Sequence, residues 1–179
     1  EKNFLNITGD KYSGKTHLTN IFLKRFKGVK IDAHSLDDQK IKRLKIHENI
    51  ILDNFDPKIN EKLVYTLFNI IDQDNKYLII NSIIPITKMK FRLADLTSRA
   101  KNCLIVQIDK PDDDLMFALI LKNFSDRQII VDKKLIDFII KRVDRSYSKI
   151  FEFIYKIDEI SLKKKKPIDF KTIKEVLKV

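Results

Sequence analysis

The chain has 179 residues, of which 44% are hydrophobic and 34% charged, and its formal net charge is +11. This length and apolar content predict one compact core with a small appendage, and they exclude two large independent domains and wholesale disorder. No apolar run approaches the ~20 residues that a membrane-spanning helix needs. The positive charge favours a nucleotide or nucleic acid as partner, although heavy use of Lys, Ile and Asn is equally typical of AT-rich coding.

The cysteine content and the amino end bear on the compartment. Cys103 is the only cysteine, so an internal disulfide is excluded and a cytoplasmic location is predicted. The sequence begins at Glu1 with no signal-peptide pattern, and an apolar segment follows almost at once. We therefore expect native residues upstream of Glu1.

Short apolar runs alternate with amphipathic segments in the first part of the chain. Strands are predicted for residues 4–8, 29–33, 49–53, 77–81 and 104–108. Helices are predicted for residues 16–26, for 35–44 with Ser35 as the cap, and for a segment capped by Asn60. Continuous apolar strands that alternate with helices predict an α/β fold, with a five-stranded parallel sheet sandwiched by helices.

The periodicity changes near Pro111. Pro111 and the three carboxylates after it are typical of the first turn of a helix. Apolar residues then recur at helical spacing, Asp169 is a candidate cap of the last helix, and residues 163–166 are predicted to form a solvated turn. The chain is therefore predicted to divide into an α/β base, residues 1–108, and an all-helical lid, residues 109–179.

The strongest local pattern is a segment that fits G-x-x-x-x-G-K-[ST] between a predicted strand and a predicted helix. Its glycines let successive backbone N–H groups turn into one hollow, and the following helix adds its positive dipole end. Lys15 is predicted to reach the β- and γ-phosphates of a nucleotide, and the Thr16 hydroxyl to bind Mg²⁺. The predicted nucleotide-binding residues are Gly9, Asp10, Lys11, Tyr12, Ser13, Gly14, Lys15, Thr16 and, directly behind them, His17.

The predicted third strand ends in an acid, as the Walker B segment of a nucleotide-binding protein does. Asp53 would hold Mg²⁺ or its water shell. The next residue is Asn54, which orients a water but cannot accept its proton at neutral pH. Asp56 replaces the missing carboxylate only if the turn bends it back. We therefore predict nucleotide binding with slow intrinsic hydrolysis, which suits a switch better than a motor.

Several short sequence motifs, here called phrases, occur in a definite order along the chain. Residues 14–18 are GKTHL, residues 93–99 are LADLTSR, and residues 124–128 are FSDRQ. Together with residues 144–146 and 173–177, these phrases resemble those of the DnaA-like AAA+ ATPase family, and above all its alphaproteobacterial Hda-like members. The resemblance runs from the first strand to the last residue and implies the AAA+ fold.

The resemblance also implies a regulatory role. Hda-like proteins resemble the ATPase part of the initiator DnaA without its DNA-reading module. In the ADP form they act with the DNA-loaded sliding clamp to make the initiator hydrolyse its ATP, and the clamp binds a segment upstream of the first strand. By resemblance, Arg99 is an arginine finger that reaches the γ-phosphate on a neighbouring subunit. From residue type alone, a surface arginine or a structural ion pair is the simpler interpretation.

The chain departs from the family pattern at two sensor positions. Ile83 occupies the place of a polar sensor after the fourth strand, where the Asn81-Ser82 pair offers substitutes. Ser148 occupies the place of the lid arginine, and Arg145 or Arg142 is the candidate to touch the nucleotide instead. The family implies ADP or ATP with Mg²⁺ as cofactors, and these departures leave weak or ADP-only binding open.

Other functions fit parts of the sequence. A helicase-loader AAA+ ATPase would hold single-stranded DNA on its basic surface, with strong salt dependence. A small-molecule P-loop kinase needs a carboxylate beside an acceptor hydroxyl, for which the Asp37-Asp38 segment is too generic. An interaction module that keeps the loop only as a scaffold would bind no nucleotide. Whether the protein forms a homo-oligomer stays open.

Overall fold

The computed structural model describes residues 3–129, 131–164, 168 and 170–177. The chain divides into two compact units. The first, here called the sheet unit, contains the chain up to Gly9 and the segment Ser13–Ile108. The second, the helical unit, contains Asp10–Tyr12 and the chain from Asp109 onward.

The sheet unit is built on five parallel strands in the order β2-β3-β4-β1-β5. The predicted parallel α/β sheet is therefore confirmed. Because β4 lies between β3 and β1, the carboxyl ends of these three strands meet at one edge of the sheet. The strands are β1 (Phe4–Thr8), β2 (Gly28–Asp32), β3 (Asn49–Phe55), β4 (Tyr77–Ser82) and β5 (Leu104–Gln107).

Helices cover the sheet and bury its central strands. Residues such as Ile50 and Ile51, which face opposite sides of β3, are both fully buried. On one face the ring of Phe4 stacks on that of Phe68, with centroids 4.7 Å apart. The helices of this unit are α1 (Lys15–Arg25), α2 (Asp38–Leu44), α3 (Glu61–Gln73) and α4 (Ala94–Lys101), with short 3-10 turns at Ala33–Ser35 and Ile86–Lys88.

The predicted start of α2 is wrong. Ser35 ends the 3-10 turn, where its hydroxyl donates to the Asp32 carbonyl oxygen at 2.8 Å. Asp37 caps α2 instead, since its carboxylate accepts from the Lys40 amide at 2.7 Å. Ser35 was a plausible cap by residue type, but its hydroxyl is used in the preceding turn.

The helical unit contains α5 (Asp113–Asp126), α6 (Lys133–Ile140), α7 (Tyr147–Lys164) and α8 (Phe170–Leu177). Pro111 is not in the first turn of α5, because Asp112 caps this helix by accepting from the Leu115 amide at 2.8 Å. Lys163 is not in a turn, because α7 continues through it and its ammonium pairs with Glu159 one helical turn earlier, at 2.6 Å. Asp169, the predicted cap of α8, and residues 165 and 166 of the predicted turn lie outside the described residues.

A helix that spans a lipid bilayer needs about 20 predominantly apolar residues. Across the part of the chain that the structure describes, no helix combines enough length with enough apolar character to span a membrane.

Asn60 was predicted to cap α3, and the structure confirms it: its side-chain oxygen accepts from the Lys62 and Leu63 amides, at 3.2 and 3.4 Å. Asn60→Ala is expected to lower the free energy of unfolding by about 1 kcal/mol, because these amides lose their acceptor. Urea unfolding with an unchanged m-value measures the loss. Lys58→Ala, in the exposed turn just before the cap, serves as the control. An equal effect of both changes would contradict the cap.

Candidate nucleotide-binding site

Two glycines shape the loop that joins β1 to α1. Gly14 precedes the first residue of α1 and has φ 92°, a left-handed conformation that side chains rarely adopt. A Cβ atom at Gly9 would lie 2.7 Å from the Ser13 hydroxyl oxygen and 3.1 Å from the Ile108 Cβ. Gly14 is therefore favoured by its backbone conformation, whereas a side chain at Gly9 would need Ser13 and Ile108 to shift.

Positive charge is concentrated where α1 begins. The Lys15 ammonium donates to the Gly9 carbonyl oxygen at 2.8 Å, which holds it against the loop. The first turn of α1 carries no acidic residue of its own, so no side chain within this turn offsets the positive end of the helix dipole. An ammonium beside a helix amino end is the arrangement that binds phosphate in proteins.

The loop residues Asp10–Tyr12 pack within the helical unit. The Asp10 carboxylate accepts from the Ser148 hydroxyl at 3.0 Å, from the Ser148 amide at 3.3 Å, and from the Ser146 hydroxyl. Burial raises the pKa of Asp10, but these hydrogen bonds outweigh it and hold the pKa below its ordinary value. The resemblance places a lid arginine at position 148, but the residue here is Ser148, and it donates hydrogen bonds to the Asp10 carboxylate of the loop.

Tyr12 is held in a left-handed conformation, with φ 64°. A non-glycine residue in this region is strained, by about 1–2 kcal/mol. The Tyr12 ring stacks on Phe151 of α7 with centroids 4.9 Å apart, a contact that offsets part of the strain.

Thr16 and Asp53 come together at the carboxyl edge of the sheet. The Thr16 hydroxyl donates to the two carboxylate oxygens of Asp53, at 3.0 and 3.3 Å. Asp53 lies on β3 and is 9% exposed, so its carboxylate faces the site rather than bulk solvent. The sequence placed these residues in one site from their motifs, although 37 residues separate them.

Asn81 of β4 completes this cluster. Its side-chain nitrogen donates to Asp53 at 3.1 Å and to the Thr19 hydroxyl at 3.2 Å. Asn81 is fully buried, yet its Oδ1 atom and the Thr8 hydroxyl oxygen have no hydrogen-bond partner among the described residues. An unpaired buried acceptor is costly, so the cluster suits a ligand that donates hydrogen bonds, such as a metal-bound water.

The donor atoms of this cluster fit Mg²⁺. Hydroxyl, carboxylate and amide oxygens are the ligands that this ion prefers, and one carboxylate with waters and phosphates is a common set. The described residues include no group of three or more His, Cys, Asp or Glu placed to hold a metal. The oxygen set of Thr16, Asp53 and Asn81 therefore suits an ion that a nucleotide brings with it.

Asn54 directs its side chain towards β2, while its backbone amide donates to the Asp53 carboxylate at 3.2 Å. Its side-chain nitrogen donates to the Asp32 carboxylate at 2.6 Å, and its backbone has φ 56° at a register shift between β3 and β4. Asp56 pairs with the His34 ring at 3.1 Å. The structure therefore places Asn54 and Asp56 in contacts of their own, at the same edge as Asp53.

The hydrogen bond from Asn54, only partly opposed by burial, lowers the pKa of Asp32. Asn54→Ala is expected to raise that pKa towards its ordinary value of about 4. A depressed pKa in the folded protein stabilises it above pH ~4, and this stabilisation is lost as the pH falls through the folded-state value. Carboxyl NMR titration measures the shift. Asp37, whose pKa the Lys40 amide lowers, should not change; an unchanged Asp32 would refute the expectation.

The remaining predicted residues are not among the side chains hydrogen-bonded in this cluster. Arg99 is in the last turn of α4, where it forms an ion pair with Asp72. Arg145 belongs to the helical unit and pairs with Asp113 at 2.8 Å. His17 is exposed on α1. The sequence did not single out Thr8 and Thr19; the signal for Thr8 is a polar residue at the carboxyl end of a mostly apolar strand.

Comparison with other proteins complements this geometry. No protein-family model matches the chain. An uncharacterized protein of Haemophilus influenzae is 25% identical over 187 aligned positions, which cover 97% of this chain and 81% of that protein.

Solved structures show a closer likeness in fold. Domain III of the Thermotoga maritima replication initiation protein DnaA superposes with a TM-score of 0.78 at 19% identity, covering 99% of this chain and 84% of that one. AMPPCP-bound DnaA from Aquifex aeolicus gives 0.66 at 20% identity, covering 92% of this chain and 60% of that one. The Thermotoga maritima RuvB Holliday junction branch migration motor gives 0.75 at 14% identity, covering 98% and 61%. The chain therefore has the AAA+ fold that is found in DnaA domain III and in RuvB.

Proposed function

We propose that this protein binds an adenine nucleotide with Mg²⁺ through the loop from Gly9 to Thr16 and through Asp53. The observation that carries the proposal is the contact between the Thr16 hydroxyl and the Asp53 carboxylate, at 3.0 Å, directly behind a loop that holds an ammonium. The DnaA structure from Aquifex aeolicus contains AMPPCP, a nucleoside triphosphate analogue, which supports the same ligand class here.

Each residue has a defined task in this proposal. Lys15 neutralises phosphate charge, and the amino end of α1 supplies amides to the phosphate oxygens. Mg²⁺, when bound, offsets further charge on the phosphates. Thr16 and Asp53 hold the ion or its waters, and Asn81 keeps Asp53 oriented through its amide at 3.1 Å. Because Asn54 cannot accept a proton, intrinsic hydrolysis is slow.

Titration calorimetry with ADP and ATP tests nucleotide binding. Lys15→Ala is expected to weaken affinity by roughly 10- to 100-fold, because a charge-assisted contact to phosphate is lost. Lys24→Ala, in the last turn of the same helix, is the control and should bind as the unaltered protein does. Thermal unfolding of each variant separates lost binding from lost structure. Absence of heat with both nucleotides, or equal affinity of Lys15→Ala, would overturn the proposal.

We further propose that the nucleotide-bound form regulates replication initiation in the cytoplasm. In this role it presents Arg99 to the ATP of a DnaA-type initiator, together with the DNA-loaded clamp, and promotes hydrolysis there. The phrase at residues 93–99 and the place of Arg99 in the last turn of α4 support this. The chain spans 84% of DnaA domain III and about three fifths of the longer DnaA chain.

A second candidate is a DNA-binding ATPase of the helicase-loader type. Tyr12 and Tyr155 of the helical unit are 62% and 66% exposed, and Tyr12 stacks on Phe151, which lies one turn before Tyr155 on α7. Exposed aromatic rings beside lysines stack on unpaired bases. Tight, strongly salt-dependent binding of single-stranded DNA, with no effect on an initiator's ATP hydrolysis, would favour this function.

A further inference from the structure

Arg99 is held by two residues of α3. Its Nη1 atom forms an ion pair with the Asp72 carboxylate. Its guanidinium carbon lies 5.5 Å from the centre of the Tyr65 ring, two helical turns before Asp72. A guanidinium over an aromatic face is favourable, and the two contacts together select one orientation of the side chain.

The pair lies at the surface of the sheet unit. The side chains of Arg99 and Asp72 are 30% and 44% exposed, so solvent and a partner protein can reach both. Exposed ion pairs contribute little stability, and a more highly charged anion can displace one member. The contact can therefore break without unfolding of α3 or α4.

A cleft of about 530 Å³ opens beside the pair and is large enough for a phosphate group. Its charged lining residues are Asp72, Asp95 and Arg99, two carboxylates against one guanidinium, which leaves a net charge of −1. A phosphate that approaches Arg99 therefore meets a neighbouring carboxylate, and like charges repel at this range.

We propose that Asp72 restrains Arg99 and thereby limits its activity as a finger. Asp72 is a positioning residue: it keeps the guanidinium paired within this chain until the nucleotide of a partner takes its place. The proposal rests on the regulatory function proposed above. It deepens that function by assigning a residue that sets how readily the finger is delivered.

The first measurement uses this protein alone. Phenylglyoxal modifies free guanidinium groups, and mass spectrometry follows its rate at Arg99. Asp72→Asn is expected to raise that rate about two- to fivefold, the range for loss of an exposed ion pair. Asp72→Glu, which keeps a carboxylate, should stay close to the unaltered protein. Asp74→Asn removes a carboxylate two residues away that pairs with Lys76 at 3.9 Å, and it should leave the rate unchanged.

The second measurement follows ATP hydrolysis by the initiator in the presence of DNA-loaded clamp. Asp72→Asn is expected to raise the stimulation about two- to fivefold at low salt, and the gain should shrink as ionic strength rises. The double change Asp72→Asn with Arg99→Ala should show no gain over Arg99→Ala. Both results would support restraint of the guanidinium itself.

Two outcomes would overturn the proposal. Lower stimulation by Asp72→Asn would mean that the carboxylate aligns the finger, and an unchanged modification rate would mean that it restrains nothing. Failure of the regulatory function has a different signature, because the unaltered protein would then give no stimulation at all. In that case the modification rate still decides whether Asp72 restrains Arg99.

Discussion

Arg99→Ala is expected to remove at least about 10³-fold of the stimulation of the initiator's ATP hydrolysis, the lower end of what an arginine finger contributes. The guanidinium would stabilise charge that develops on the transferred phosphoryl group, and alanine offers no substitute. Hydrolysis is measured with purified initiator, DNA-loaded clamp and this protein in its ADP form. Binding of ADP should not change, because Arg99 lies in α4, outside the loop and the Asp53 cluster.

Two variants make this experiment specific. Arg99→Lys keeps the positive charge but loses the planar fork of donors, so it should recover only a small part of the stimulation. Arg92→Ala removes an exposed arginine just before α4 and should stimulate as the unaltered protein does. Full stimulation by Arg99→Ala would remove this residue from the mechanism.

Asn54→Glu together with Asp32→Asn is expected to raise intrinsic ATP hydrolysis by about 10²- to 10⁴-fold, the contribution of a positioned general base. Glutamate supplies the proton acceptor that Asn54 lacks. Asn54 now donates to Asp32 at 2.6 Å, so in the double variant the amide at position 32 would donate to the new carboxylate. The hydrogen bond is kept with its polarity reversed.

The single changes provide the contrast. Asn54→Glu alone would place two carboxylates in contact, and their repulsion would turn the new side chain away or keep it protonated. It should therefore gain much less than the double variant. Asn54→Glu combined with Asp37→Asn is the control, because the Asp37 carboxylate takes no part in the contact between residues 54 and 32. This variant should behave like Asn54→Glu alone. Single-turnover assays measure the rates, and Lys15→Ala in the double variant should abolish the gain. Equal rates for the single and double variants would refute the role of Asp32.

Local patterns were sufficient to predict the strands and most of the helices, but not every helix boundary. The apolar runs predicted the five parallel strands. Asn60 was identified as a cap because asparagine favours this position and the helix begins directly after it in the chain. Ser35 was misassigned because a second candidate, Asp37, lies two residues later and the competing hydrogen bond to Asp32 cannot be recognised from local spacing.

Contacts across the sheet were harder to predict. Asn81 was one of two candidates for a sensor, and only the order of the strands, with β4 beside β3, brings its amide to Asp53. The partner of Asn54 was equally hard to predict. Its side chain donates to Asp32 on the neighbouring strand β2, and its backbone has an unusual positive φ at this point.

The sequence by itself identified the candidate nucleotide-binding loop, because its glycines, Lys15 and Thr16 belong to one short continuous segment. It also determined the alternation of strands and helices, since burial on both faces demands unbroken apolar runs. Only the tertiary structure decided which polar side chains pair: Asp10 hydrogen-bonds with Ser148, and Arg99 forms an ion pair with Asp72. Such pairs join residues far apart in the chain, and their geometry depends on how strands order and helices pack, which no local spacing encodes.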